Sequence, residues 1–548
     1  MAKPMPERFS DLHFPLCGID LAHAFDQQIV KQMQNQQYGS TTVSGVNVRT
    51  YNPGLDRARG GSRPGISKYL PAQVSGTTWI VQELNTVVGS GYTVPGNVVQ
   101  QSQSGRVVSV VAVVQGNVYT TTPGGTVWTP ATNMAGTSPP LNVSGVLYSS
   151  ANNQKLYFAD GVHYVYFDPS LNQVLNWVPG TTDILGNPIT SVFPVDSANN
   201  APRLITTWRG RTVLSGLPYD PQNWFMSAVS DPNNFDYNPT FATPSQAVAG
   251  NNGPLGLIGD VVTCMIPYTD DILVAGGDHS IYVFNGDPMA GGQIDLVSDA
   301  IGMAWGNPWC KDPFGTIYFV SNKTGIYSLV PGNTPQRISL EIDALLRNID
   351  TGTNAIRMVY DDRFQGIHVF ITPLAAPAPA THFFWELRSG AWWEDQYANQ
   401  NLNPCCCCTV DGNLPGQRGI ILGSWDGYVR YTDPNATTDD GAAIASTVTL
   451  GPFLTADLDD VLLMDIQSVM AASSGQVLYD VYVGPTAEIA LQSTPVASGV
   501  WGSGRNFTNL IRRSGHAIYV TLTSSNVWAM ESVRCRIKSL NKVRRRGA

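Results

Sequence analysis

The feature that most constrains this chain is a paired-strand unit that recurs between roughly Thr78 and Asp433. Each copy is an apolar or aromatic strand, a polar turn containing glycine, and a second strand rich in Tyr, Val or Phe. In "KLYFADGVHYVYFD" (Lys155 to Asp168), Asp160-Gly161 offers the positive-φ turn that a hairpin needs. "DILVAGGDHSIYVFNGDP" from Asp271 and "GTIYFVSNKTGIYSLVPG" from Gly315 repeat the pattern. "QGIHVFITP" with "THFFWELRSGAWWE", and then "GIILGSWDGYVRYTD", continue it at steps of roughly 40–50 residues, the spacing of propeller blades. One such small sheet cannot bury both of its faces, so the copies must pack on one another. The pattern predicts an all-β protein, a β-propeller of about six to eight blades.

Composition agrees. Only 13% of residues are charged, and 53 glycines and 37 prolines suit short strands and tight turns better than helices. Two segments read as helical: Leu21 to Gln37, and Ser339 to Ile349, where Ser339 can cap the first turn. The chain divides by pattern into an N-terminal extended arm over 1–75, carrying a short helix and an Arg/Gly-rich loop, and a propeller over 76–435. An antiparallel β-sandwich-like platform domain over 436–548 follows a polar linker, Asp433 to Ala443, and ends in the basic tail "NKVRRRGA". No window approaches the eighteen or so apolar residues of a membrane helix, and charge and proline interrupt the first residues before any leader-like apolar run. Folding in a cytoplasm is the expectation.

A net charge of −9 argues against tight wrapping of nucleic acid, which needs a basic surface. Cys405 to Cys408 stand together without the paired spacing of a zinc site, and with Cys17, Cys264, Cys310 and Cys535 they read as core thiols. Seven scattered histidines form no nucleophile signature, and no phosphate loop, G-x-S-x-G or H-E-x-x-H is present. Acid pairs that a glycosidase would need are Asp361-Asp362, Glu386 with Glu394-Asp395, and Asp270-Asp271. Adjacent strand residues face opposite ways, so they read as turn formers or solvated charge. "ADLDD", Ala456 to Asp460, could join a structural calcium site but lacks the glycine and distal glutamate of a helix-loop-helix site. Trp385, Trp392, Trp393 and Trp425 suit a blade interior or a subunit contact better than sugar stacking. No catalytic residue, cofactor or metal is expected.

The loop "LDRARGGSRPGISKY", with Arg49 just upstream, gathers Arg49, Arg57, Arg59 and Arg63 in a chain otherwise sparing with charge. One reading makes it a turn, with Pro64-Gly65 at the centre of a type II turn and the arginines solvated. The other is docking, in which guanidinium forks grip carboxylates of a neighbouring subunit or of the chain's own blades. Contact with DNA phosphate is a third, lesser option.

Several of these segments resemble the tail nozzle, or tail tubular, proteins of short-tailed bacteriophages. "GVNVRTYNPGLDRARGGSRPGISKY" is similar to their N-x-R…G…R-P-G entry segment, and "PQNWFMSAVSDPNNFDY" to their blade signature. "IYVFNGDP", "PQRISLEIDALLRNID" and "SGRNFTNLIRRSGHAIYVTL" extend the likeness over most of the chain. The resemblance implies a non-enzymatic virion protein, assembled in the host cytoplasm. It would form a homohexameric ring that continues the DNA-ejection channel, docks portal or adaptor proteins and tail fibres or needle, and meets the host envelope. A tail-associated polysaccharide hydrolase and a receptor- or glycan-binding propeller are the alternatives.

Overall fold

The computed structural model describes residues 7–25, 30–32, 38–51, 56–90, 106–323, 325–412, 415–454, 460–508 and 510–539. Seven four-stranded antiparallel units follow one another along the chain, some of them extended into larger sheets. Their first strands are Val81–Ser90, Tyr148–Asn152, Leu204–Trp208, Val262–Thr269, Trp309–Lys311, Asn354–Asp361 and Pro404–Asp411. Each packs beside the next, and the last returns to lie against Val81–Ser90. The chain is therefore all-β, and its main body is a seven-bladed β-propeller.

The cores between blades show why the ring holds. Val87, Val111 and Val113 of blade one meet Leu156, Phe158 and Phe167 of blade two. Cys264, Ile266 and Val274 of blade four meet Ile317 and Phe319 of blade five. Val81, Leu84 and Val110 of blade one meet Cys406, Ile421 and Val429 of blade seven, which closes the circle. Each blade thus covers the apolar face that its neighbour cannot bury alone. The hairpin turns behave as the sequence predicts: Gly161 has φ of 82°, and Asp160 Oδ1 accepts from the N–H groups of Val162 and His163.

The first 75 residues do not stand apart as an arm. Glu7–Leu12 pairs with Met530–Ser539 in one sheet of the C-terminal sandwich. Gly45–Val46 pairs with Ser446–Leu454 of the other sandwich sheet and with Ala391–Asp395 of blade six, making one nine-stranded sheet. Ile66–Lys68 then supplies the fourth strand of blade seven beside Val429–Thr432. The expected linker is structured as well, since Thr438–Asp439 and Ala442–Ala443 extend that same sheet past residue 435. A large core shared by blade six and both sandwich sheets includes Trp392, Trp393, Val448, Ile466, Val520 and Val533, which merges the two regions.

One helix expectation needs correction, and the other holds only in shortened form. Val30–Gln32 is a strand paired with Tyr38–Ser40, and the remaining described part of 21–37, residues 21–25, is turn. Over 339–349 only a 3-10 turn, Leu340–Ile342, and one helical turn, Asp343–Leu346, form. Ser339 does not cap them. Its hydroxyl donates to Asp343 Oδ1 at 2.8 Å and accepts from the Ile326 N–H, tying the turn to blade five. The expected ion segment lies outside the described residues except for Asp460, and so does the basic tail.

Candidate functional site

The arginine loop proves to be a latch within the chain. Arg49 donates from Nη1 and Nη2 to the two carboxylate oxygens of Asp395 at 2.7 and 2.6 Å, and its guanidinium lies 4.1 Å from the Phe384 ring centre. Arg63 grips Asp439 in the same two-pronged way at 2.9 and 2.7 Å, and donates from Nε to Asn47 Oδ1. Both arginines are buried, at 4% and 3% exposure, so the idea that they dock a neighbouring subunit is corrected: their partners are blade six and the edge of blade seven. Burial alone would lower the Arg63 pKa. The Asp439 carboxylate, with Asp395 behind it, more than reverses this and raises it. Arg57 and Arg59 both reach Glu531 on the sandwich, and of the four only Arg57 is largely exposed.

The glycines of the loop have separate reasons. Gly60 has φ of 73° and lies so close to Phe14 that a Cβ would sit 2.1 Å from its ring. Gly65 is not at the positive-φ position of a type II turn. It is required by close approach, because a Cβ there would lie 1.9 Å from the Thr438 carbonyl oxygen.

A buried ion pair crosses the propeller axis. Arg357, from the first strand of blade six, donates from Nη2 to Glu83 Oε2 of blade one at 3.2 Å and to the Leu147 carbonyl at 3.3 Å. Its guanidinium lies 4.6 Å from the ring centre of Tyr148 in blade two, and Ser149 Oγ donates to Glu83 Oε1 at 2.9 Å. Inner strands of blades two and six sit on opposite sides of a seven-membered ring, so side chains that join them cross its centre. Burial pushes the Glu83 carboxyl up to about 7, against the opposing pull of Arg357 and Ser149. These residues escaped the sequence reading. The available signal was a lone acid in "WIVQELNTVV" and a lone base in "NAIRMVY", each inside an apolar first strand.

Beside this ion pair, at the downstream ends of the inner strands of blades five to seven, a cavity of about 770 Å³ opens. Trp309, Lys311, Tyr360, Asp361, Asp362 and Arg363 stand on one side, and Cys407, Thr409, Asp411 and Arg418 on the other. Asp361 and Asp362 do not form an acid dyad: Asp361 is buried, with Oδ1 accepting from the Arg363 N–H, while Asp362 is exposed. Glu386 pairs with Arg388, and burial pushes its carboxyl up to about 7. Asp395 belongs to the latch, and Asp271 pairs with Arg209 at the surface. Trp392 and Trp393 are core residues, and Trp385 stacks on Trp392 with ring centres 5.8 Å apart.

Cys406, Cys407 and Cys408 alternate across their strand, while Cys405 sits at an irregularity in the pairing. Cys406 and Cys408 face blade one and Cys407 faces blade six. All eight cysteines are free thiols, and burial pushes Cys407 up to about 12. Among the described residues no group of three or more His, Cys, Asp or Glu side chains gathers to hold a metal ion, and no helix is long and apolar enough to cross a membrane.

One histidine carries a pH consequence. His382 is fully buried in blade six, its Nδ1 accepting from the Ile371 N–H at 3.1 Å while Nε2–H donates to Asn403 Oδ1 at 3.1 Å. Burial lowers its pKa from 6.5 to about 4. The unfolded chain takes up this proton first, so the stability His382 confers is complete above pH 6.5 and is lost as pH falls toward 4. That loss amounts to about 3 kcal/mol. Urea unfolding of wild type and His382→Gln at pH 7 and pH 4.5 is expected to show a smaller acid loss in the variant; equal losses would refute the assignment.

No protein-family model matches the chain, and no curated protein matches it. Among solved structures, "YCF48 bound to D1 peptide" is 12% identical with a TM-score of 0.38, the match covering 68% of this chain and 96% of that one. Two structures of the extracellular domain of BT4673 from B. thetaiotaomicron are 12% and 11% identical, with TM-scores of 0.40 and 0.41. They match 87% and 94% of this chain, which spans only 58% and 60% of their own length. Overlaps this loose leave the description of the propeller resting on the chain's own strand pairing and ring closure.

Proposed function

We propose that this chain is a non-catalytic assembly subunit of a phage tail, of the nozzle or tail tubular kind, working as a ring of identical copies. The observation that carries the reading is the latch. The segment with the N-x-R…R-P-G resemblance is also the one that ties blade six, blade seven and the sandwich into one rigid body. A tail segment under the load of packed DNA needs such a body, because a subunit that flexed between its domains would open its contacts. The ion pair that crosses the axis bears on where DNA would pass: a conduit has to be enclosed by several subunits, not bored through one propeller. Charge fits a non-sticking wall, for residues 76–450 hold 14 Lys and Arg against 29 Asp and Glu, a net −15.

Attachment of further copies, an adaptor or fibres falls to the outer face of the sandwich. There Leu462, Met464 and Val469 are half-buried and Phe507 and Leu510 exposed, beside exposed Arg505, Arg513 and Arg534. Of the loop arginines, Arg57 remains the one placed to reach outward. Native mass spectrometry and negative-stain microscopy of the purified protein test the reading. Closed rings of one size are expected, whereas a monomer at every concentration would overturn it, and release of reducing ends from host polysaccharide would favour the hydrolase instead.

A further inference from the structure

We propose that the cavity at the propeller mouth is a saccharide-binding site, a function separate from assembly. Its size is right for a small ligand: about 770 Å³ lies within the range of pockets that enclose one. Its chemistry is mixed. Asp361, Asp362 and Asp411 are matched by Lys311, Arg363 and Arg418, so the walls favour neither a strong anion nor a strong cation. Carboxylates that accept and guanidinium groups that donate suit the paired hydroxyls of a sugar ring. Trp309 and Tyr360 add aromatic surface on which the C–H face of a sugar can lie.

Two features point beyond an ordinary surface hollow. First, two polar atoms among the lining residues are buried without a hydrogen bond: the Asp361 Oδ2 acceptor, 3.5 Å from His368 Nε2, and the Trp309 Nε1 donor. Asp361 is 97% buried, its exposure being 3%. An unpaired buried polar atom costs about 1–3 kcal/mol, which a ligand group that donates to the Asp361 carboxylate or accepts from the Trp309 indole N–H would relieve. Second, Phe314 follows Pro313 on the cavity wall and is 87% exposed. Its turn is held firmly. Asp312 Oδ1 accepts from the Phe314 and Thr316 N–H groups at 2.9 and 2.8 Å, and Asp312 Oδ2 accepts from the Tyr318 hydroxyl at 3.1 Å. An exposed aromatic side chain next to the wall residue Pro313 offers apolar surface to a ligand that extends out of the cavity.

The test uses saturation-transfer NMR on the full chain, with glucose, galactose, N-acetylglucosamine, cellobiose, lactose and chitobiose as probes and a neutral tripeptide beside them. At least one sugar is expected to bind wild type, and Phe314→Ala and Asp362→Asn, both at exposed positions, are expected to weaken it about tenfold. Phe241→Ala, also exposed but in blade three, is expected to leave binding unchanged. Absence of transfer to every sugar, binding equal in all variants, or transfer to the tripeptide alone would each overturn the proposal. None of these results depends on whether rings form.

Discussion

Asp439→Ala is expected to destabilise the protein by about 3–5 kcal/mol and to free the latch from blade seven. Its carboxylate is wholly buried and holds both Nη atoms of Arg63, which is 3% exposed. Removing it leaves a guanidinium that cannot shed its charge, in a place water does not reach, with Asn47 Oδ1 and two backbone carbonyls as its remaining hydrogen-bond acceptors. The loss should be local first. Ile66–Lys68 is held to blade seven by pairing with Val429–Thr432 and by Asp439 opposite Ile66, so backbone amides of these strands are expected to exchange with deuterium much faster in the variant. The double variant Arg63→Met with Asp439→Leu should recover much of the stability, because no charge is then stranded. Unchanged exchange in Asp439→Ala would show that the strand pairing alone closes the ring.

Breaking the axial pair is expected to give a result that depends on which partner goes. Glu83→Ala strands Arg357 beside Tyr148 and the Leu147 carbonyl, and the expected cost at pH 8, where Glu83 is ionised, is again about 3–5 kcal/mol. Arg357→Met strands Glu83 instead, but a carboxyl can take up a proton. Its pKa is already pushed up to about 7 by burial and rises further once the opposing guanidinium is gone. A raised folded-state pKa means stability that is present below the ordinary carboxyl value and lost as pH rises through the folded value. The Arg357→Met chain should therefore lose more stability than wild type between pH 5 and pH 8, while the Glu83→Ala chain, with no acid at this position, should lose none from this site. Denaturant unfolding of both variants at the two pH values decides this, and the same cost for Arg357→Met at both would mean that Glu83 stays ionised in the fold.

Much of the fold was legible in residues. The hairpins at Lys155–Asp168, Asp271–Pro288 and Gly315–Gly332 are blades two, four and five, because alternation and glycine turns are local signals that survive packing. Leu21 to Gln37 was misread because its helical spacing is equally short-range evidence, and pairing of Val30–Gln32 with Tyr38–Ser40 overrides it. The candidate site was legible only in part. Four arginines in one loop suggested docking on a neighbouring subunit or on the chain's own blades; what they hold is their own chain, through Asp395, Asp439 and Glu531, which lie hundreds of residues downstream. No spacing rule links them.

The sequence by itself determined that this chain is all-β and builds its body from recurring hairpin sheets, since strand alternation and turn chemistry act between near neighbours. Tertiary structure alone decided that there are seven blades, that the first 75 residues close the ring and lock the sandwich to it, and that Glu83 and Arg357 meet across the axis. Those outcomes turn on which distant strands pair and on which buried charges can find partners there, energies that exist only once the ring has closed.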